Sequence, residues 1–295
     1  MNEKNGNRKD LPAAASGTVS LGGELTVNRV GFGAMRITGD GIWGPPKDRR
    51  AAIAVLRHAV ELGVNFIDTA DSYGPHVSEE LIAQALAPYP KDLVIATKGG
   101  WNRPGPNQWT HDASPAHLRD AVEGSLKRLR LERIDVYQLH VPDPVVPLDA
   151  SIETLANMQA EGKIRLIGLS NVTQEHIERA RRIVPIVSVQ NRYSFADREW
   201  DYVVDYCERN GIAFIPWFPL AAGTVAAKVL DRIAKDRKAK PIQVALAWLL
   251  KRSPVMLPIP GTSSIAHLEE NVEAASLELS DAEHLELTGV AQLAS

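Results

Sequence analysis

After about residue 17 the chain alternates short apolar runs with longer stretches of helical period. Its first ordered pattern reads as a hairpin: Thr18 to Leu21 and Leu25 to Val27 alternate around Gly22-Gly23, a dipeptide suited to a tight turn with positive φ. Eight apolar runs follow, at residues 30–33, 65–68, 93–97, 134–139, 164–168, 186–190, 212–215 and 255–259. Most are too continuous in apolar character for either face to meet water, which is the pattern of parallel strands covered by helices. The helices between them are punctuated. Asp48 precedes an amphipathic run that ends at Leu62-Gly63, Ser114-Pro115 offers a cap followed by proline, Thr173 with His176 makes part of a capping box, and Pro241 opens an apolar helix. Eight strand–helix units in this length predict a (β/α)8 barrel, a TIM barrel, with the hairpin closing its bottom. Residues 1–16 read as a disordered tail and 17–295 as a single barrel domain. The stretch 99–113, rich in Pro, Gly and Trp, has no period and reads as a long loop over the active-site face.

Charge and composition narrow the partners. The net charge of -3 leaves no basic footprint for nucleic acid. No run approaches the ~20 apolar residues of a membrane span, and the start lacks the features of a secretion signal. The cytoplasm is therefore the expected compartment. The single cysteine, Cys207, allows neither an internal disulfide nor a cysteine-based metal cluster, and no metal is expected. Its setting suggests an inert thiol. Oligomeric state is left open.

Barrel active sites form at the C-terminal ends of the strands. There the second strand offers Asp68 and, shortly after, Tyr73; the third offers Lys98, the fourth His140, the fifth Ser170-Asn171 and the sixth Gln190-Asn191. Singly, each has an ordinary explanation: a helix cap, a solvated lysine, a loop histidine, a packed aromatic. Together they suit proton transfer to a carbonyl that has received a hydride. A phenol of ordinary pKa near ~10 is a weak acid, a nearby ammonium lowers that value, a carboxylate keeps the ammonium charged, and an imidazole N–H can polarise the carbonyl.

The residues Phe66-Ile67-Asp68-Thr69-Ala70-Asp71-Ser72-Tyr73-Gly74, Ala96-Thr97-Lys98 and Tyr137-Gln138-Leu139-His140 resemble, in order, the motifs of the aldo-keto reductases. The resemblance spans about residues 21–287. It implies a catalytic tetrad of Asp68, Tyr73, Lys98 and His140, with Tyr73 as the acid in NAD(P)H-dependent reduction of small carbonyl compounds. It also implies a cofactor site. Gly33, Ala34 and Met35 would flank the nicotinamide, with Ser170, Asn171 and Gln190 on its carboxamide and Trp217 stacked on its ring. Pro219, Leu220 and Gly223 would cover the pyrophosphate. Gly261, Thr262, Ser263 and His267 belong to the phosphate loop, and Glu270 and Asn271 to the adenine. That loop lacks the lysine or arginine with which many members hold a 2′-phosphate, so NADP(H) is expected from the family, with NAD(H) as the alternative. Gly44-Pro45-Pro46-Lys47-Asp48-Arg49 and Tyr73-Gly74-Pro75-His76-Val77 resemble a bacterial branch that reduces pyridoxal, which makes Trp43 and Trp101 candidate walls of the substrate pocket. Two other readings are open at this point: a lyase using Lys98 as a Schiff base, and a cofactor-binding regulatory subunit with little turnover.

Overall fold

The computed structural model describes residues 11–217 and 224–292. The hairpin forms as expected, β1 (Thr18–Leu21) antiparallel to β2 (Leu25–Asn28). The barrel strands are β3 (Phe32–Gly33), β4 (Phe66–Asp68), β5 (Val94–Gly99), β8 (Ile134–Leu139), β9 (Ile164–Ser170), β10 (Ile186–Arg192) and β11 (Ala213–Trp217), all parallel, in the order β11-β10-β9-β8-β5-β4-β3.

The eighth run closes the curved sheet without forming a regular strand. Leu257 donates to the Phe214 carbonyl at 2.8 Å, Phe214 donates to that of Val255 at 2.9 Å, and on the other edge Gly31 donates to that of Pro258 at 2.9 Å. Pro258 and Pro260 carry no N–H, so the ladder cannot continue past Leu257. Among the described residues ten α-helices cover the outside or flank the loops: α1 (Arg49–Glu61), α2 (Val77–Leu86), α3 (Pro115–Leu129), α4 (Leu148–Ala160), α5 (Gln174–Arg181), α6 (Asp201–Arg209), α7 (Thr224–Asp236), α8 (Pro241–Arg252), α9 (Ile265–Glu273) and α10 (Asp281–Gln292). The starts read from the sequence are present. Asp48 accepts from the Ala51 amide and Ser114 from that of His117, each of a kind worth about 1 kcal/mol. The box at Thr173 is complete, because the His176 ring accepts from the Thr173 amide.

Two expectations are corrected. The tail does not run to Ser16: Pro12–Ser16 form a 3-10 turn with Ala13 fully buried, and the Ala13 amide donates to the Leu62 carbonyl at 3.0 Å. Nor is 99–113 a loop without structure. It contains the hairpin β6 (Trp101–Gly105) and β7 (Gln108–His111), turned at Asn107 with φ +57°.

Strand alternation sets the layers of the barrel. Phe66, Val94, Ala96, Val136 and Leu166 point inward, where they pack with Val19, Leu21 and Val27 of the N-terminal hairpin. Ile67, Ile95, Tyr137, Ile167 and Leu169 point outward to the helices. The hairpin thus plugs the end of the barrel where the strands begin. The next inward positions along the strands are polar: Asp68 after Phe66, Lys98 after Ala96, and Gln138 after Val136.

Candidate active site

The polar layer is built around one buried ion pair. Lys98 Nζ lies 2.6 Å from Asp68 Oδ1 and also donates to the Thr69 carbonyl at 2.8 Å, with both side chains essentially inaccessible to water. The second carboxylate oxygen accepts from Gln190 Nε2 at 2.8 Å and from Gln138 Nε2 at 3.4 Å. Gly168 makes room for this arrangement, since a Cβ there would meet Ser188 Oγ and stand 3.1 Å from Gln138 Cγ. An ion pair so dry persists only when its remaining hydrogen-bonding positions are filled, and Gln190 and Gln138 fill those of the acid. Burial pushes the Asp68 carboxyl up against the pull of Lys98. Burial works against the ammonium of Lys98 too, but Asp68 and Tyr73 outweigh it and hold its pKa above the ordinary value.

Tyr73 stands on the turn after β4, buried, with the ammonium of Lys98 5.2 Å from its ring centroid. Burial raises its pKa, Lys98 lowers it, and the net direction is upward. The expected lowering by Lys98 is present, but burial outweighs it. Lys98 offsets part of what burial imposes, and Tyr73 stays protonated at neutral pH. The ring of His140 meets that of Tyr73 edge-on at 5.9 Å between centroids, and its Nδ1 lies 3.5 Å from Ser72 Oγ. Burial and the charge of Lys98 drive the imidazole well below its usual pKa, so it is neutral. The structure brings together all four residues expected at the strand ends.

The residues expected around a cofactor are placed less uniformly. Gln190 donates one amide N–H to Asp68, which leaves its second N–H and its Oε1 for a neighbouring group. Asn171, in the left-handed region at φ +57°, donates to the His140 carbonyl at 3.0 Å and accepts from the indole N–H of Trp217 at 3.2 Å. Ser170 Oγ accepts from the same amide at 3.1 Å. On the same rim Gly33, level with Asp68, ends β3 and leads into the 3-10 turn Ala34–Ile37, which holds Met35. Gly33 and Gly261 let two backbones touch: a Cβ on Gly33 would stand 2.6 Å from the Ile259 carbonyl oxygen, and one on Gly261 2.5 Å from that of Gly33. Thr262 Oγ1 accepts from the Ser264 amide at 3.0 Å, and Ser264 caps α9 through the His267 amide. Ser263 and His267 are exposed, Asn271 is buried on α9, and Glu270 lies 3.9 Å from Lys240 Nζ. Pro219, Leu220 and Gly223 fall outside the described residues.

Sequence reasoning passed over four features. Gln138 is the inward residue after Val136, and strand period alone points to it. Arg36 runs past the last loop, its Cγ 3.5 Å from where a Cβ of Gly261 would be; it precedes that loop by more than 200 residues, and only the closed barrel joins them. Trp109 and Arg103 sit on the hairpin taken for a loop. Behind Lys98 a second buried acidic group was invisible: Glu79 of α2 accepts from Thr97 Oγ1 and Arg128 Nε, each at 2.6 Å, beside Asp71. Asp71 Oδ1 is buried without a partner, and burial with the neighbouring Glu79 pushes that carboxyl to about 8. A folded pKa above the unfolded value of 3.8 contributes stability at low pH and removes it as pH rises toward 8. Asp71→Asn is therefore expected to melt roughly 5 °C above the parent at pH 8, with the gap closing toward pH 4 in a thermal-denaturation series. A gap that is constant with pH would show that Asp71 is not the titrating group.

Cys207 is fully buried and its thiol is pushed up to about 12, as an inert residue should be. Among the described residues no helix is long and apolar enough to cross a membrane.

Comparison with known proteins agrees with the geometry. The sequence profile of the aldo/keto reductase family matches residues 29–292. An uncharacterized oxidoreductase of Schizosaccharomyces pombe is 53% identical over 92% of this chain and 88% of its own length. The pyridoxine 4-dehydrogenase of Escherichia coli is 47% identical over 94% of this chain and 99% of its own. The crystal structure of an aldo-keto reductase from Klebsiella pneumoniae in complex with NADPH superposes with a TM-score of 0.79 at 28% identity, covering 92% of this chain and 94% of that one. Agreement over this length, on a barrel with its polar layer at the same strand ends that the motifs mark, leads to one assignment: the chain belongs to the aldo/keto reductase family.

Proposed function

We propose that the protein is an NADP(H)-dependent reductase of small aromatic aldehydes, of which pyridoxal is the foremost candidate, and that it works in the cytoplasm as one barrel unit. The observation that carries the chemistry is the buried Lys98–Asp68 pair set against the ring of Tyr73. A bound nicotinamide supplies the hydride; the work of the chain is to place the carbonyl and deliver a proton. Tyr73, held protonated, gives its hydroxyl proton to the oxygen that gains charge. The fixed positive charge of Lys98 stabilises the phenolate left behind, and Asp68 with its two amide donors keeps that charge in place. Neutral His140 donates a hydrogen bond to the carbonyl oxygen and aligns it. In the oxidative direction the same groups run in reverse, with Tyr73 as the base.

The donor set on the rim suits a dinucleotide. Ser170 and Asn171 offer polar groups beside Trp217, and α9 begins just after Thr262 and Ser264, where a helix N-terminus favours an anion. Arg36 supplies the positive charge that the last loop lacks. A Schiff base at Lys98 fits poorly, because that chemistry wants a neutral, accessible amine, whereas this one is charged and enclosed. A purely regulatory role gives no reason for the ion pair.

The test is turnover. Purified protein should reduce pyridoxal with NADPH and oxidise pyridoxine with NADP+, and the preference for NADPH over NADH should fall about tenfold in Arg36→Ala, as lost ionic contacts to a phosphate predict. Absence of turnover with both cofactors across a panel of aldehydes would remove the reading.

A further inference from the structure

One side chain holds the wall above the site, and the proton transfer described above makes no use of it. Arg103 lies on β6, half-buried. Its Nε donates to the Gln108 carbonyl at 2.9 Å, closing its own hairpin. Its Nη1 donates to the Ser72 carbonyl at 2.9 Å, one residue before Tyr73, and its Nη2 to the Gly41 carbonyl at 3.0 Å. The face of the guanidinium lies 3.7 Å from the ring centroid of Trp109 and 5.7 Å from that of Trp43. No carboxylate pairs with it among the described residues. One cation therefore joins the loops that follow the first, second and third barrel strands.

The segments it joins also touch each other and the site. Gly44 donates to the Gly74 carbonyl at 2.8 Å and Gly74 to that of Ile42 at 3.2 Å, so the loop carrying Trp43 is laced to the turn carrying Tyr73. Trp101, on the same strand as Arg103, meets Trp109 edge-on at 5.9 Å, lies 4.3 Å from the ring of His111, and reaches to 6.4 Å from His140. Three indoles thus form a wall that ends at the imidazole. A planar fork with several donors and a face that stacks on aromatic rings can make all these contacts at once, and a lysine cannot.

We propose that Arg103 is a specificity-determining positioning residue: by clamping the β6–β7 hairpin to the turn that bears Tyr73, it holds the Trp43, Trp101 and Trp109 wall where it favours flat aromatic aldehydes over small aliphatic ones. This rests on the carbonyl-reductase reading. Stacking on a fixed indole favours a planar substrate, whereas propanal is too small to depend on the wall.

The experiment is steady-state kinetics with 4-nitrobenzaldehyde and propanal, each with NADPH, for the parent, Arg103→Met, Arg103→Lys and Trp109→Leu. In Arg103→Met the KM for 4-nitrobenzaldehyde should rise about tenfold, while the KM for propanal and the affinity for NADPH change less than about twofold. Arg103→Lys should behave like the methionine variant, because it keeps the charge and loses the fork. Trp109→Leu should show the same selective loss, and it carries the test if the arginine variants do not fold. Equal losses for the two aldehydes in a folded, NADPH-binding variant, or full rescue by lysine, would overturn the clamp. Failure of the parent to reduce either aldehyde removes the reductase reading and the proposal with it.

Discussion

Tyr73→Phe is expected to lower kcat for aldehyde reduction by about 10²–10⁴-fold, the usual worth of a positioned general acid, while NADPH binding changes less than about twofold. The phenyl ring keeps the shape of the buried side chain, its edge contact with His140 and its position over the ammonium of Lys98. Only the hydroxyl is lost, and with it the sole acidic proton that the tetrad offers to the site at neutral pH. His140 cannot replace it: burial and Lys98 keep that ring neutral, and a neutral imidazole is a far weaker acid than its cation. Lys98 cannot replace it either, because its ammonium is spent on Asp68 and the Thr69 carbonyl. The measurement is single-turnover reduction at saturating NADPH, with cofactor affinity followed by fluorescence. Full activity in the phenylalanine variant would place the proton donor elsewhere.

How the tetrad assembles was legible in the sequence because strand period is short and strict. Asp68 and Lys98 each follow an inward apolar residue by two positions on consecutive strands, so a parallel barrel must bring them together. The hairpin plug was legible for the same reason, from alternation around Gly22-Gly23. What stayed hidden depends on three-dimensional closure or on weak local pattern. Arg36 meets the loop at Gly261 only because residues 255–259 bond to both Phe214 and Gly31. The β6–β7 hairpin carries prolines at 104 and 106 and a bulge between Asn102 and Gly105, which erase the alternation that would announce it. That Gln190 also donates to Asp68 was hidden too, because spacing does not show which strand-end acid a side chain reaches. The sign of the shift at Tyr73 was hidden as well, since it depends on how deeply the ring is buried.

Lys98→Met should separate the structural from the chemical part of the ion pair. Removing one partner leaves Asp68 buried with only the amides of Gln190 and Gln138, and breaking a buried pair in this way typically costs about 3–5 kcal/mol. In a chain of this size that corresponds to a fall in Tm of roughly 10 °C at neutral pH. The loss should depend on pH. Without the ammonium only those two amides oppose the burial that already raises the carboxyl, so the folded state binds a proton more tightly than the unfolded one. The variant then loses stability as pH rises above the unfolded value near 3.8 and recovers it toward acid. In the double variant Asp68→Asn, Lys98→Met no charge is buried, and most of the lost stability should return. Activity should not return. The phenolate of Tyr73 would form with no positive charge beside it, and losing such a stabilising group costs about 10²–10³ in kcat. Thermal denaturation from pH 5 to 8, run beside aldehyde reduction on the single and double variants, decides the matter. If the double variant regains both stability and turnover, Lys98 serves only to neutralise Asp68. If it regains stability alone, the ammonium acts on the proton of Tyr73.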